Sequence, residues 1–160
     1  MRRPTVFVIG AAVVAAGALV LVLGSTSSGA GAPTPVTSLE EVTGTWEATE
    51  STDAPAELAA PVRLTFAEGG VFFETGCNTG RGAASVEGGL LVAGPFARTR
   101  KACVPRLDTQ EQWVLVMLES TPRMGLAGTS ELTLTWGEGY ALLLTRVADA
   151  ATGQGPAPAG

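Results

Sequence analysis

The chain of 160 residues contains no histidine. That absence removes the side chain that titrates nearest neutral pH, the Ser-His and Cys-His nucleophile pairs, and the commonest zinc ligand. Cysteine is scarce: Cys77 and Cys103 stand alone, and two thiols by themselves do not fill a zinc site. No calcium loop occurs. Neither G-x-S-x-G nor S-x-x-K is found, so the standard serine nucleophile signatures are missing. Charged residues make up only 16% of the chain, and the net charge is −5. Without Arg2 and Arg3, eight basic residues face fifteen acidic ones, or −7. A nucleic-acid binder needs a basic footprint, and this balance excludes one. Glu40-Glu41 and the acidic "EATESTD" read as solvated surface at the domain edge. A hydrolase working with paired carboxylates is the enzymatic alternative left, and the reading is of a non-enzyme with no cofactor and no metal.

What the chain does have is an uncharged run, "TVFVIGAAVVAAGALVLVLG", at residues 5–24. As a helix it spans about 30 Å, the thickness of a bilayer core. Arg2 and Arg3 before it favour the cytoplasm, which places the rest of the chain outside. The run is longer than the apolar region of a secretory signal. A cleavage site at Ala30-Gly31-Ala32 would leave Pro33 at the new terminus. Residues 1–24 are therefore read as a signal-anchor or a signal peptide, with the protein at the cell membrane, its domain extracytoplasmic, or secreted if cleaved. No cysteine follows the run, which excludes a lipoprotein anchor.

Residues 25–38, "STSSGAGAPTPVTS", read as a flexible linker, and residues 148–160, "ADAATGQGPAPAG", as a disordered tail. Between them, 39–147 form one domain, patterned as short strands. "GTWEATE" sets Trp46 against Thr45 and Glu47. "VRLTFA" alternates Val62, Leu64 and Phe66 with Arg63 and Thr65. Turns at Glu68-Gly69-Gly70, Gly88-Gly89, Thr129-Ser130 and Gly137-Glu138-Gly139 divide the domain into about seven or eight strands. One segment differs. "DTQEQWVLVMLES", 108–120, carries Asp108 as an N-cap with Glu111 three residues on, a capping-box spacing, and Pro122 after it. The fold expected is α+β: a strongly curved or partly barrel-like antiparallel sheet, one main helix covering its open side, and the N-terminal membrane helix.

"ETGCNTGRG", 74–82, concentrates the remaining signals. Gly76 and Gly80 are too close for a phosphate-binding loop, and no Lys-Ser/Thr follows. A reactive thiol needs a depressed pKa, and Arg81 is the only cation near Cys77 in sequence. In an exported domain, Cys77 and Cys103 are expected to pair, closing a loop of about 26 residues worth roughly 3.5 kcal/mol. Gly76, Gly80 and Gly82 would permit a sharp turn with positive φ, and Asn78 would bond nearby backbone and tolerate a left-handed conformation, making a structural corner.

Gly76-Cys77-Asn78, the Gly88-Gly89 hairpin, "GPFARTRKAC", a helix, "LAGTSELTLTW" and "ALLLTRV" together resemble the META domain, the HslJ-like family. "GTWEAT" and "VRLTFAEGGVFF" are similar to its opening, and Thr99-Arg100-Lys101-Ala102-Cys103 to its second motif. The resemblance runs from about Val42 to Val147. Its departures are an alanine- and proline-rich stretch at 51–61 and a more basic "RTRK". It implies a small α+β envelope domain and supplies no catalytic site.

One local reversal of charge stands out. Arg98, Arg100, Lys101 and Arg106 place four of the domain's eight basic residues within nine positions. Arg98, Arg100 and Lys101 are the candidate partner-binding residues, for an envelope protein, a lipid or an anionic polymer. Membrane attachment through residues 5–24 completes the expected partners. The functional expectation is a tethered envelope domain with a non-catalytic binding or accessory role. The alternative is a secreted small-molecule or lipid-binding domain.

Overall fold

The computed structural model describes residues 32–52 and 57–148. The strands are β1 (Thr34–Pro35), β2 (Gly44–Ser51), β3 (Arg63–Ala67), β4 (Gly70–Glu74), β5 (Thr79–Glu87), β6 (Leu90–Ala93), β7 (Ala97–Arg98), β8 (Arg123–Ala127), β9 (Glu131–Trp136) and β10 (Tyr140–Arg146). A 3₁₀ turn spans Leu39–Val42, and the helix α1 spans Pro105–Glu119. Every pairing is antiparallel. The order β8-β6-β5-β4-β3-β2-β10-β9 returns to β8 through a β8–β9 ladder, so eight strands close into a barrel. The two-residue strands β1 and β7 are added to β8 and β5. Closure leaves no exposed sheet edge around the ring.

The period of two decides which faces turn inward. Leu64 and Phe66, Val71 and Phe73, Leu132 and Leu134, and Leu142 and Leu144 are buried, while Arg63, Phe72, Glu131 and Leu143 point out. Trp46 is fully buried and donates its indole N–H to Val42 O at 2.7 Å. The helix contributes Val114, Leu115, Met117 and Leu118 to the same core. Trp113 extends this contact by meeting Trp136 edge-on, with ring centroids 5.6 Å apart.

Three expectations change. The helix begins at Pro105, with Val104 in the extended N-cap position, and not at Asp108. Proline suits the first helical position because its missing N–H needs no partner there, so Asp108 falls inside the first turn. The proposed linker is shorter. Thr34–Pro35 pairs with Gly125–Leu126, Val36 is fully buried, and its N–H reaches Met124 O at 3.1 Å. Residues 34–38 thus belong to the barrel, and Glu41, instead of lying free, accepts the amides of Thr37 and Ser38 and the Thr37 hydroxyl. The stretch 51–61, read as loose, is held at both ends. Thr52 bonds Ala141, and Ala59 and Ala60 bond the side chain of Gln110. The expected membrane helix at 5–24 and the tail beyond Ala148 lie outside the described residues. Among the described residues, no helix is long and apolar enough to cross a membrane.

Candidate binding site at the disulfide corner

The turn between β4 and β5 closes when Asn78 O accepts both the Thr75 amide and the Thr75 hydroxyl, at 3.1 and 3.0 Å. Gly76 there takes φ +86°, and a Cβ would lie 2.3 Å from Ala60 Cβ, so both conformation and space demand glycine. Cys77 is bonded to Cys103, with Cα atoms 6.1 Å apart.

Asn78 is the hub. Its Oδ1 accepts Lys101 N–H and the Thr99 hydroxyl, both at 2.8 Å. Its Nδ2 donates to Glu111 Oε2 at 2.7 Å, and lies 3.4 Å from Lys101 O and 3.2 Å from Cys103 Sγ. The second oxygen of Glu111 pairs with Arg98. Glu111 is fully buried, whereas the Arg98 side chain remains about one-third exposed. Gln110 beside it, also buried, donates to Ala60 O and Thr75 O and accepts from Ala59 N–H. Among the described residues, no buried side-chain nitrogen or oxygen lacks a partner.

The expected residues therefore divide. Cys77, Cys103, Gly76 and Asn78 meet at one corner. Asn78 does bond neighbouring backbone, but its φ is not positive; among the described residues, Thr121 is the non-glycine with that conformation. Gly80 and Gly82 are not turn residues. They lie within β5, where a Cβ on Gly80 would stand 2.2 Å from the Phe73 ring and one on Gly82 2.6 Å from Phe96. Their requirement is close approach, not backbone freedom. Of the three candidate binding cations, Arg98 is committed to Glu111, while Arg100 and Lys101 are exposed, as is Arg106.

Glu111 and Gln110 escaped sequence reasoning because the capping-box spacing assigned Glu111 to the helix end. The signal against that assignment was position: Gln110 stands four residues before Val114, and Glu111 three and four before Val114 and Leu115, on the apolar stripe. A polar pair on such a stripe implies an internal partner.

A second concavity, about 640 Å³, lies on the outer face of β3, β4 and β5. Thr65, Phe72 and Arg81 stand side by side along it in register. Among the described residues, no cluster of three or more carboxylates or thiols could hold a metal.

The profile of the META domain matches residues 37–149. The chain belongs to the META domain family. None of the curated proteins compared with it matches. Two solved structures share the META-type fold seen here. An NMR structure of a protein from Burkholderia xenovorans is 22% identical, with TM-score 0.57, over 69% of this chain and 86% of that one. A second NMR structure is 23% identical, with TM-score 0.55, over 69% of this chain and 96% of that one. At this identity the likeness concerns the fold. Within this META domain, the Gly-Cys-Asn corner and the Thr-x-x-Ala-Cys segment are the two halves of one polar cluster.

Proposed function

We propose that this META domain protein is an exported, membrane-tethered envelope module that acts by binding an anionic partner and carries out no catalysis. The observation that carries this reading is the state of the segment 100–106. Arg100, Lys101 and Arg106 are exposed, and among the described residues none of them forms an ion pair. The backbone beneath them is held: Asn78 bonds both the N–H and the C=O of Lys101, and Cys103 is tied to Cys77. Uncommitted charge on a fixed backbone binds without a large ordering cost. The positive end of α1, starting at Pro105, adds to the same field. Absence of histidine and of nucleophile motifs supports the non-catalytic part.

The test replaces Arg100, Lys101 and Arg106 with glutamine and leaves Arg98 in place, because Arg98 neutralises Glu111. Capture of envelope components should fall and weaken with salt, since exposed charges are screened over about 10 Å at 0.1 M. Thermal stability should hold. Undiminished capture would reject the segment, and turnover of a substrate by the purified protein would reject the non-catalytic reading. The Phe72 and Arg81 groove favours a second reading, a small-molecule or lipid carrier. Ligand-induced NMR shifts at Thr65, Phe72 and Arg81, with none at 100–106, would support it.

A further inference from the structure

The barrel has two chemically different ends. At one end lie the β3–β4, β5–β6 and β8–β9 turns. The chain enters there, with Pro33 over Gly125 and Thr34 opposite Leu126. Exposed Glu40, Glu41, Glu68, Glu87 and Glu131 surround this entry. Two arginines oppose these five carboxylates. The Arg146 guanidinium stacks 4.2 Å over Trp46 and donates to Thr43 O and Thr129 O, and Arg123 lies beside Gly89. The other end carries the disulfide corner, the helix start, and Arg100, Lys101 and Arg106, with Glu74, Asp108 and Glu138 among its acids.

The separation follows from strand geometry. The nine residues of β5 run from the corner to the acidic end. At about 3.3 Å per residue and a tilt of about 40°, they give about 20 Å of axial height. Because residues 34–38 are part of the barrel, only 25–31 separate the apolar run from Ala32. Seven residues reach about 24 Å fully extended and about 15 Å on average when flexible. Turning the basic end onto the membrane would require that tether to span nearly the whole domain height.

We infer that the domain stands with its acidic end toward its own membrane and presents Arg100, Lys101 and Arg106 outward, where they bind a polyanionic polymer of the envelope and not the headgroups of the supporting bilayer. This rests on the reading of residues 5–24 as an uncleaved anchor.

The experiment reconstitutes the full chain into vesicles of phosphatidylcholine, with or without phosphatidylglycerol, and adds fluorescent poly(glycerol phosphate). Polymer should bind both vesicle types with similar affinity. Binding should weaken at least about tenfold in the R100Q/K101Q/R106Q variant and fall steeply with salt, as expected for contacts that release counterions. Loss of polymer binding when phosphatidylglycerol is present in the same vesicle would overturn the inference, because the patch would then lie on the bilayer. Absence of polymer binding at low salt would overturn it as well. Capture of added phosphatidylglycerol vesicles without polymer binding would assign the patch to lipid. Release of the chain from vesicles by a carbonate wash would reject the anchor reading, and the orientation with it, independently of whether the released protein binds polymer.

Discussion

Asn78 donates its side-chain amide to Glu111 Oε2 at 2.7 Å, joining the β4–β5 turn to the helix across 33 positions of sequence. The same amide group holds Lys101, so one asparagine links the barrel, the helix and the segment that carries the exposed cations. Structural support and proposed binding surface therefore share a residue.

The Arg98–Glu111 pair is expected to matter most when broken from one side. Replacing Glu111 with glutamine strands the Arg98 charge and should lower unfolding stability by about 3 kcal/mol, read from denaturant midpoints. Arg98→Gln strands the fully buried carboxylate instead. The loss should be at least as large, and the double variant should cost less than the two single losses summed. Simple additivity would exclude coupling between the two side chains.

At the other end, hydrogen bonds from the Thr37 hydroxyl and amide hold the Glu41 carboxyl below its ordinary pKa. A depressed folded-state pKa contributes stability above the unfolded value that is lost as pH falls through the folded one. Thr37→Val should move the Glu41 carboxyl back toward its ordinary range in an NMR titration and flatten the acid limb of the stability curve. An unchanged Glu41 titration would contradict the assignment.

Gly80→Ala tests the distinction between turn and close approach. Its Cβ would stand 2.2 Å from the Phe73 ring, and the strand cannot move without disturbing its ladders to β4 and β7. Overpacking of this kind costs about 2 kcal/mol or more. A variant as stable as the parent would show that the ring has room to rotate away.

Reduction of Cys77–Cys103 should lower stability by about 3.5 kcal/mol for a loop of 26 residues. Hydrogen exchange at 99–103 should rise with it, because only the hydrogen bonds to Asn78 and Thr79 would then hold that segment. Equal protection in the reduced protein would show that the hydrogen bonds suffice.

Much of the barrel was legible before any coordinates. Alternation in "VRLTFA" and "ELTLTW" marks the buried face residue by residue, and the glycine-bearing turns join strands adjacent in the chain. Both signals are local, as is the helix as an element. Only its first turn was displaced, by a proline whose fitness for that position competed with a capping pattern. The disulfide was likewise legible, because two cysteines leave one pairing.

Closure was decided by tertiary structure. The β2–β10 ladder within the ring pairs Trp46 with Arg146, and β1, added outside the ring, pairs Thr34 with Leu126. Such partners lie about a hundred or more positions apart near opposite ends of the domain, and no periodicity encodes which distant strand will be met. Val36 sits among small and polar residues with no repeating pattern, so its burial is set by the gap the barrel leaves there. Arg98 and Glu111 are each ordinary exposed-type residues in sequence. Burial makes Glu111 an internal anchor, and Arg98 is drawn to it because a carboxylate removed from water requires a compensating charge and hydrogen bonds. Local sequence pattern thus determined the strands and the turns, while three-dimensional proximity decided which cations are paired and which remain exposed.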